Sequence, residues 1–128
     1  MSDDAGLEAN KELVRRLIDG LSYGDGTRID ETIDEVVSAD YTQHNPLAGA
    51  GRDDLKKFVH QLVPLPEHID RSKIIEVHYL AEGDRVMRQE LSSHGMLIDV
   101  FRVENGKLVE HWDAYRPNPG YGPLMPGF

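Results

Sequence analysis

LIDVFRVENGKLVEHWDAY, residues 97–115, holds two β-rich runs around Asn105-Gly106, and the pairing of its halves decides both the fold and the chemistry. Asn-Gly flanked by alternating apolar residues is a strong hairpin signal, because both residues tolerate positive φ. Two registers are open. A two-residue turn at Asn105-Gly106 sets Asp99 against Trp112 and leaves Asp99 and Asp113 on opposite faces. A three-residue Glu104-Asn105-Gly106 loop, with Gly106 as the left-handed residue of a G1 bulge, pairs Val103 with Lys107, Phe101 with Val109, Asp99 with His111 and Leu97 with Asp113. Cross-strand partners share a face. The bulged register is the preferred reading, because it gathers Asp99, His111 and Asp113 beside Leu97, Phe101, Val109 and Tyr115. The other face then carries Ile98, Val100, Arg102, Leu108, Glu110, Trp112 and Ala114. Both faces are apolar enough to need a cover. Helices suit one, and a second copy of the chain, docked over Trp112, Val100 and Ile98, suits the other.

Working outward, strand-like runs also occupy residues 73–81 and 85–94, separated from each other and from the hairpin by Glu82-Gly83-Asp84 and Gly95. Upstream the apolar period becomes helical. Leu13, Val14, Leu17, Ile18 and Leu21 form one stripe, which Gly20, Gly24 and Gly26 are expected to end. Asp30 can cap a short second helix with Ile33, Val36 and Val37 inside. A third helix opens at Asp53-Asp54, buries Leu55, Phe58, Val59, Leu62 and Val63, and stops at Pro64 and Pro66. Three helices ahead of a four-stranded antiparallel meander make an α+β plan with the helices on one face of the sheet. Residues 1–128 read as a single domain whose stretch 117–128 is a Pro/Gly-rich tail, extended or mobile.

Composition excludes more than it names. The 128 residues carry 14 Lys+Arg against 23 Asp+Glu and no Cys. An acidic balance argues against nucleic acid and anionic membrane. Zero Cys removes thiolate catalysis, zinc fingers and iron–sulfur clusters. No apolar run approaches the ~18 residues of a membrane span, and the first residues are acidic, unlike a signal peptide. A cytoplasmic location is therefore expected. Much of the acid falls in the first 40 residues, as solvated helix faces.

Two carboxylates and an imidazole on one apolar face push each other's proton affinities apart and suit general acid–base chemistry. A carboxylate there can take a proton next to a carbonyl while His111 or Asp99 hydrogen-bonds the developing oxyanion. The bland alternative is an Asp99–His111 pair that only satisfies buried polar atoms. No metal is expected: His111 and Asp113 project together, but no HExxH and no second close His pair accompany them. Ser92-Ser93 lack a nucleophile elbow, and Gly49-Ala50-Gly51-Arg52 is too short for a phosphate loop.

Tyr41-Thr42-Gln43-His44-Asn45-Pro46, Gly51-Arg52 opening a helix, and the segment from Asp99 to Asp113 together resemble the SnoaL-like group of the NTF2-like superfamily. The likeness runs from the first helix to about Arg116. It implies an NTF2-like cone: three N-terminal helices packed on a strongly bent four-to-six-stranded antiparallel sheet that encloses a pocket, usually in homodimers. SnoaL-like polyketide cyclases carry out a cofactor-free aldol condensation with an aspartate at the end of this hairpin as acid/base, and Asp113 is the matching position. Asp99 stands where such cyclases keep a second polar pocket residue. The expected pocket residues are Tyr41, His44, Asn45, Phe101 and Tyr115, the ligand a small apolar or carbonyl-bearing compound, and the cofactors none. Limonene epoxide hydrolases of the same superfamily use an Asp–Arg–Asp set, partly matched by Arg88, Glu90 and Asp113. A third branch binds small ligands without chemistry.

Overall fold

The computed structural model describes residues 3–22, 26–44, 49–62 and 73–122. Helix α1 spans Asp3–Ser22, α2 Gly26–Val36 and α3 Gly51–Leu62. Gly20 does not end α1. It lies inside the helix where α2 comes closest: a Cβ there would sit 2.4 Å from Thr32 Oγ1, so only glycine admits the contact. Asp30 likewise lies within α2 and accepts from, or pairs with, His60 Nε2 at 2.8 Å. The expected stop of α3 at Pro64 and Pro66 lies outside the described residues. Among those described, no helix is long and apolar enough to cross a membrane.

Among the described residues five strands follow or interleave: β1 (Val37–Gln43), β2 (Ile74–Glu82), β3 (Arg85–Ser92), β4 (Gly95–Glu104) and β5 (Lys107–Pro117). They form one sheet in the order β1-β5-β4-β3-β2. The meander β2–β5 is antiparallel, as its turns predict. β1 adds a fifth strand that runs parallel to β5. Arg52 ties its start to α3, donating from Nε and Nη2 to Val37 O at 3.0 and 2.8 Å.

The hairpin register differs from the expected one. Glu104 pairs with Lys107 and Val103 with Leu108, so the turn has two residues, Asn105 and Gly106, at φ 51° and 72°. These angles fit a type I′ turn. The register then shifts: Arg102 faces Glu110, Phe101 faces His111, Asp99 faces Asp113 and Leu97 faces Tyr115. The extra residue is Val109 on β5, not a third loop residue. Leu108, expected outside, is therefore inside and fully buried, and Val109 is only half-buried. His111 faces Phe101 instead of Asp99, but beyond the bulge every residue keeps its expected face.

The core joins Val14 and Leu17 of α1, Ile29, Ile33 and Val36 of α2, and Leu55 and Val59 of α3 to Tyr41, Val86, Phe101, Val103 and Leu108 of the sheet. Each such side chain contributes roughly 1.5–3 kcal/mol on burial. The helices thus cover the sheet's inner face near the Asn105-Gly106 end. Burial relaxes along β5, from Leu108 and His111 to half-buried Asp113 and Tyr115 and exposed Arg116. The start of the tail is docked: Asn118 donates to Ser93 O at 3.2 Å, and Tyr121 packs on His94.

Candidate functional site

Strand pairing sorts the inner-face side chains into rows. Asp113, Asp99, Arg88 and Tyr79 are successive partners across β5, β4, β3 and β2. On the core side lies the row Gln43, His111, Phe101, Val86 and Ala81, which begins on β1. On the open side lies Tyr115, Leu97, Glu90 and Val77. Alternation along each strand therefore concentrates the polar groups in one band, bounded on one side by the core.

Arg88, Asp99 and His111 are buried, at 5%, 7% and 7% exposure, and each is partnered as burial requires. His111 Nε2 contacts Asp99 Oδ1 at 2.8 Å, and its Nδ1 contacts Gln43 Oε1 at 2.8 Å. Gln43 Nε2 donates to Tyr41 OH at 3.3 Å. The His111 ring stacks on Phe101 with centroids 4.4 Å apart and lies 6.5 Å from Tyr41. Arg88 donates from Nε to Tyr79 OH at 3.0 Å and from Nη1 to Glu90 Oε1 at 2.9 Å. Among the described residues, no buried side-chain nitrogen or oxygen lacks a partner.

The electrostatics follow from this packing. Burial, then the charges of Asp99 and Asp113, push the Tyr41 hydroxyl far above the usual tyrosine range. Burial and the Glu90 charge raise Tyr115 as well. For Arg88 burial opposes the charge, but its contacts with Glu90 and Tyr79 outweigh that and hold the guanidinium above its ordinary value. One oxygen each of Asp99 and Asp113 and a ring nitrogen of His111 lie within 4.8 Å of one another. That span suits a cation or a polar atom of a ligand.

The structure brings Asp99, His111, Asp113, Phe101, Tyr41 and Tyr115 to one face, and Arg88 and Glu90 to the same face. His44 does not join them. Its ring stacks on Trp112 at 4.8 Å and its Nε2 meets Glu110 Oε2 at 2.7 Å, both on the outer face. It follows Gln43, which points inward, so alternation carries it to the other side. Asn45 lies outside the described residues. Trp112 is on the outer face as expected, with Arg85 over its ring at 4.7 Å. Arg102 and Glu110 are direct cross-strand partners on the same outer face, bonded at 2.8 Å. Two inner-face groups escaped the sequence reading, Gln43 and Tyr79. Gln43 sits two residues after Tyr41, the strand period, and that spacing was the available signal.

Three helices packed on the inner face of a five-stranded sheet, with the polar band beside their core, make an α+β fold of the NTF2-like kind. A sequence model of the SnoaL-like domain family matches residues 14–111, and the chain belongs to that family. No curated protein matches it. Solved structures share the fold. TsrD from Streptomyces laurentii superposes with a TM-score of 0.61 at 16% identity, over 84% of this chain and 88% of that one. An LEH-like epoxide hydrolase of M. tuberculosis gives 0.60 at 13% identity, over 87% and 81%. A putative SnoaL-like polyketide cyclase from Jannaschia sp. CCS1 gives 0.59 at 17% identity, over 84% and 85%.

Proposed function

We propose that the chain is a cofactor-independent acid–base enzyme acting on a small carbonyl-bearing or polyketide-like compound, by aldol-type condensation or isomerisation. Asp113 is the base that takes the proton beside the carbonyl. Asp99 and His111 supply the hydrogen bond to the oxyanion that forms. Phe101, Tyr41 and Tyr115 wall the site. The observation that carries this reading is the direct pairing of Asp113 with Asp99 on the inner face, His111 within 4.8 Å of both. Burial falls from Asp99 to Asp113, so the more exposed carboxylate is the one a substrate reaches first. The test is turnover of carbonyl substrates, followed by solvent-deuterium exchange at the carbon next to the carbonyl. Asp113→Asn is expected to lower the rate by about 100-fold or more while leaving the fold intact. Undiminished exchange in that variant excludes the assignment.

A second reading has its own support. Arg88 is buried on this face, opposite Asp99 and bonded to Glu90, which supports a set of Arg88, Glu90 and Asp113. Under it, Asp113 activates water and the Arg88–Glu90 pair serves the epoxide oxygen. Hydrolysis of a small epoxide in labelled water would place the label in the diol, and Arg88→Ala would abolish it. The half-buried outer strip of Ile98, Val100 and Trp112 supports a homodimer through that face. Sedimentation of the wild type and of Val100→Glu tests it.

A further inference from the structure

Gln43 ends β1 level with His111. The imidazole of His111 stands between two oxygens, Gln43 Oε1 at Nδ1 and Asp99 Oδ1 at Nε2, each at 2.8 Å. A carbonyl oxygen has no hydrogen to give, and a carboxylate has one only when protonated. A ring with a single hydrogen can serve only one such acceptor.

We infer that Gln43 is a positioning residue that commits a hydrogen of His111 to Nδ1, so that the Nε2···Oδ1 contact with Asp99 holds one transferable proton. In one form Asp99 carries the proton and donates it to Nε2. In the other Nε2 carries it and donates to the Asp99 carboxylate. One O–H bond breaks as one N–H bond forms, and the pair has no net charge in either form.

The charges favour this hydrogen placement over the reversed amide. The Tyr41 hydroxyl donates as well as accepts, so its 3.3 Å contact with the Gln43 amide fits either orientation. The reversed amide would make Nε2 the only donor and Asp99 a full carboxylate. Asp99 and Asp113 would then be two anions within 4.8 Å in a largely buried band, an arrangement low-dielectric surroundings penalise. Arg88 gives little relief, since Glu90 and Tyr79 already hold it. With Gln43 as found, the Asp99–His111 pair is neutral in sum, and the trio carries one net negative charge instead of two. Asp113 then takes a proton while its neighbours have one to give.

That last role rests on the carbonyl reading; the placement of the hydrogen does not, and its test needs no substrate. The full chain, with its histidines labelled with ¹⁵N, is examined by NMR at neutral pH, and His111 is assigned by the signals missing in His111→Gln. The wild type is expected to show a hydrogen-bearing Nδ1 with slow exchange. Gln43→Glu, which also presents an acceptor, keeps that signature and serves as the conservative rescue. Gln43→Leu moves the hydrogen to Nε2, seen as a shift of the Nδ1 resonance into the unprotonated range. A bare Nδ1 in the wild type, or a ring signature indifferent to Gln43→Leu in a folded protein, overturns the inference. Failure of Asp113→Asn to slow turnover would remove the carbonyl reading and leave the hydrogen placement standing.

Discussion

Asp99 and Asp113 face each other directly across β4 and β5, and a single extra residue, Val109, makes them do so. The type I′ turn alone would set Asp99 against Trp112. One added residue changes the parity of everything beyond it, turning His111 and Asp113 inward and Trp112 outward. The same residue lets Leu108 stay in the core at full burial, three positions before His111.

Deleting Val109 therefore removes the bulge and leaves every pair in place: Leu108 stays opposite Val103, Glu110 follows it opposite Arg102, and His111 and Asp113 still meet Phe101 and Asp99. Leu108 keeps its burial, so urea unfolding of the deletion variant is expected to show a loss smaller than the roughly 2–3 kcal/mol that expelling Leu108 from the core would cost. A loss of that size or more would mean that the bulge does more than take up Val109.

A second prediction concerns Arg88 and Glu90, bonded at 2.9 Å with the guanidinium side nearly sealed from water. Removing one partner of such a pair leaves the other charge uncompensated. Arg88→Met is expected to cost about 3 kcal/mol, the lower end of what breaking a buried pair costs, because Glu90 keeps some contact with water. Adding Glu90→Gln should restore part of that loss, since the orphaned charge is gone. A double-mutant cycle by chemical denaturation measures the coupling, and strict additivity of the two single variants would show the pair to be energetically idle.

How far the sequence discloses this can be judged from particular residues. The meander strands and helix stripes are legible because turn chemistry and apolar period agree. β1 is not: Ser38, Ala39, Asp40 and Thr42 show no strand-like alternation of apolar residues. Its pairing with β5 is long-range and parallel, and no local turn advertises it. The three-residue register preserved the parity of the true one beyond the bulge, so Asp99, His111 and Asp113 were grouped together although their pairing was shifted. His44 lies away from its expected place for the same reason that β1 is not legible. Without a strand, there was no alternation to send Gln43 inward and His44 outward. Gly20 shows the reverse limit, since a helix-ending signal turned out to mark a close helix crossing that only packing reveals.

The third prediction follows from Tyr41, which is 2% exposed and lies near both aspartates. Its ionisation is raised far above the unfolded value of 10.0, chiefly by burial and next by the two negative charges. Folding therefore favours the protonated phenol. The stabilisation is complete below the unfolded value and fades as pH climbs above it toward the folded one, because the unfolded chain releases this proton first. Stability should thus decline from about pH 10 upward, at up to ~1.4 kcal/mol per pH unit from this one group. Tyr41→Phe removes that component, so its stability curve should be flatter in alkali than the wild type's. The same substitution should leave the tyrosinate absorbance titration of the folded protein unchanged up to about pH 12, since the phenol it removes does not ionise there. A loss of titrating absorbance in Tyr41→Phe over that interval would show the hydroxyl to be open to solvent, and the wall it forms beside His111 would have to be redrawn.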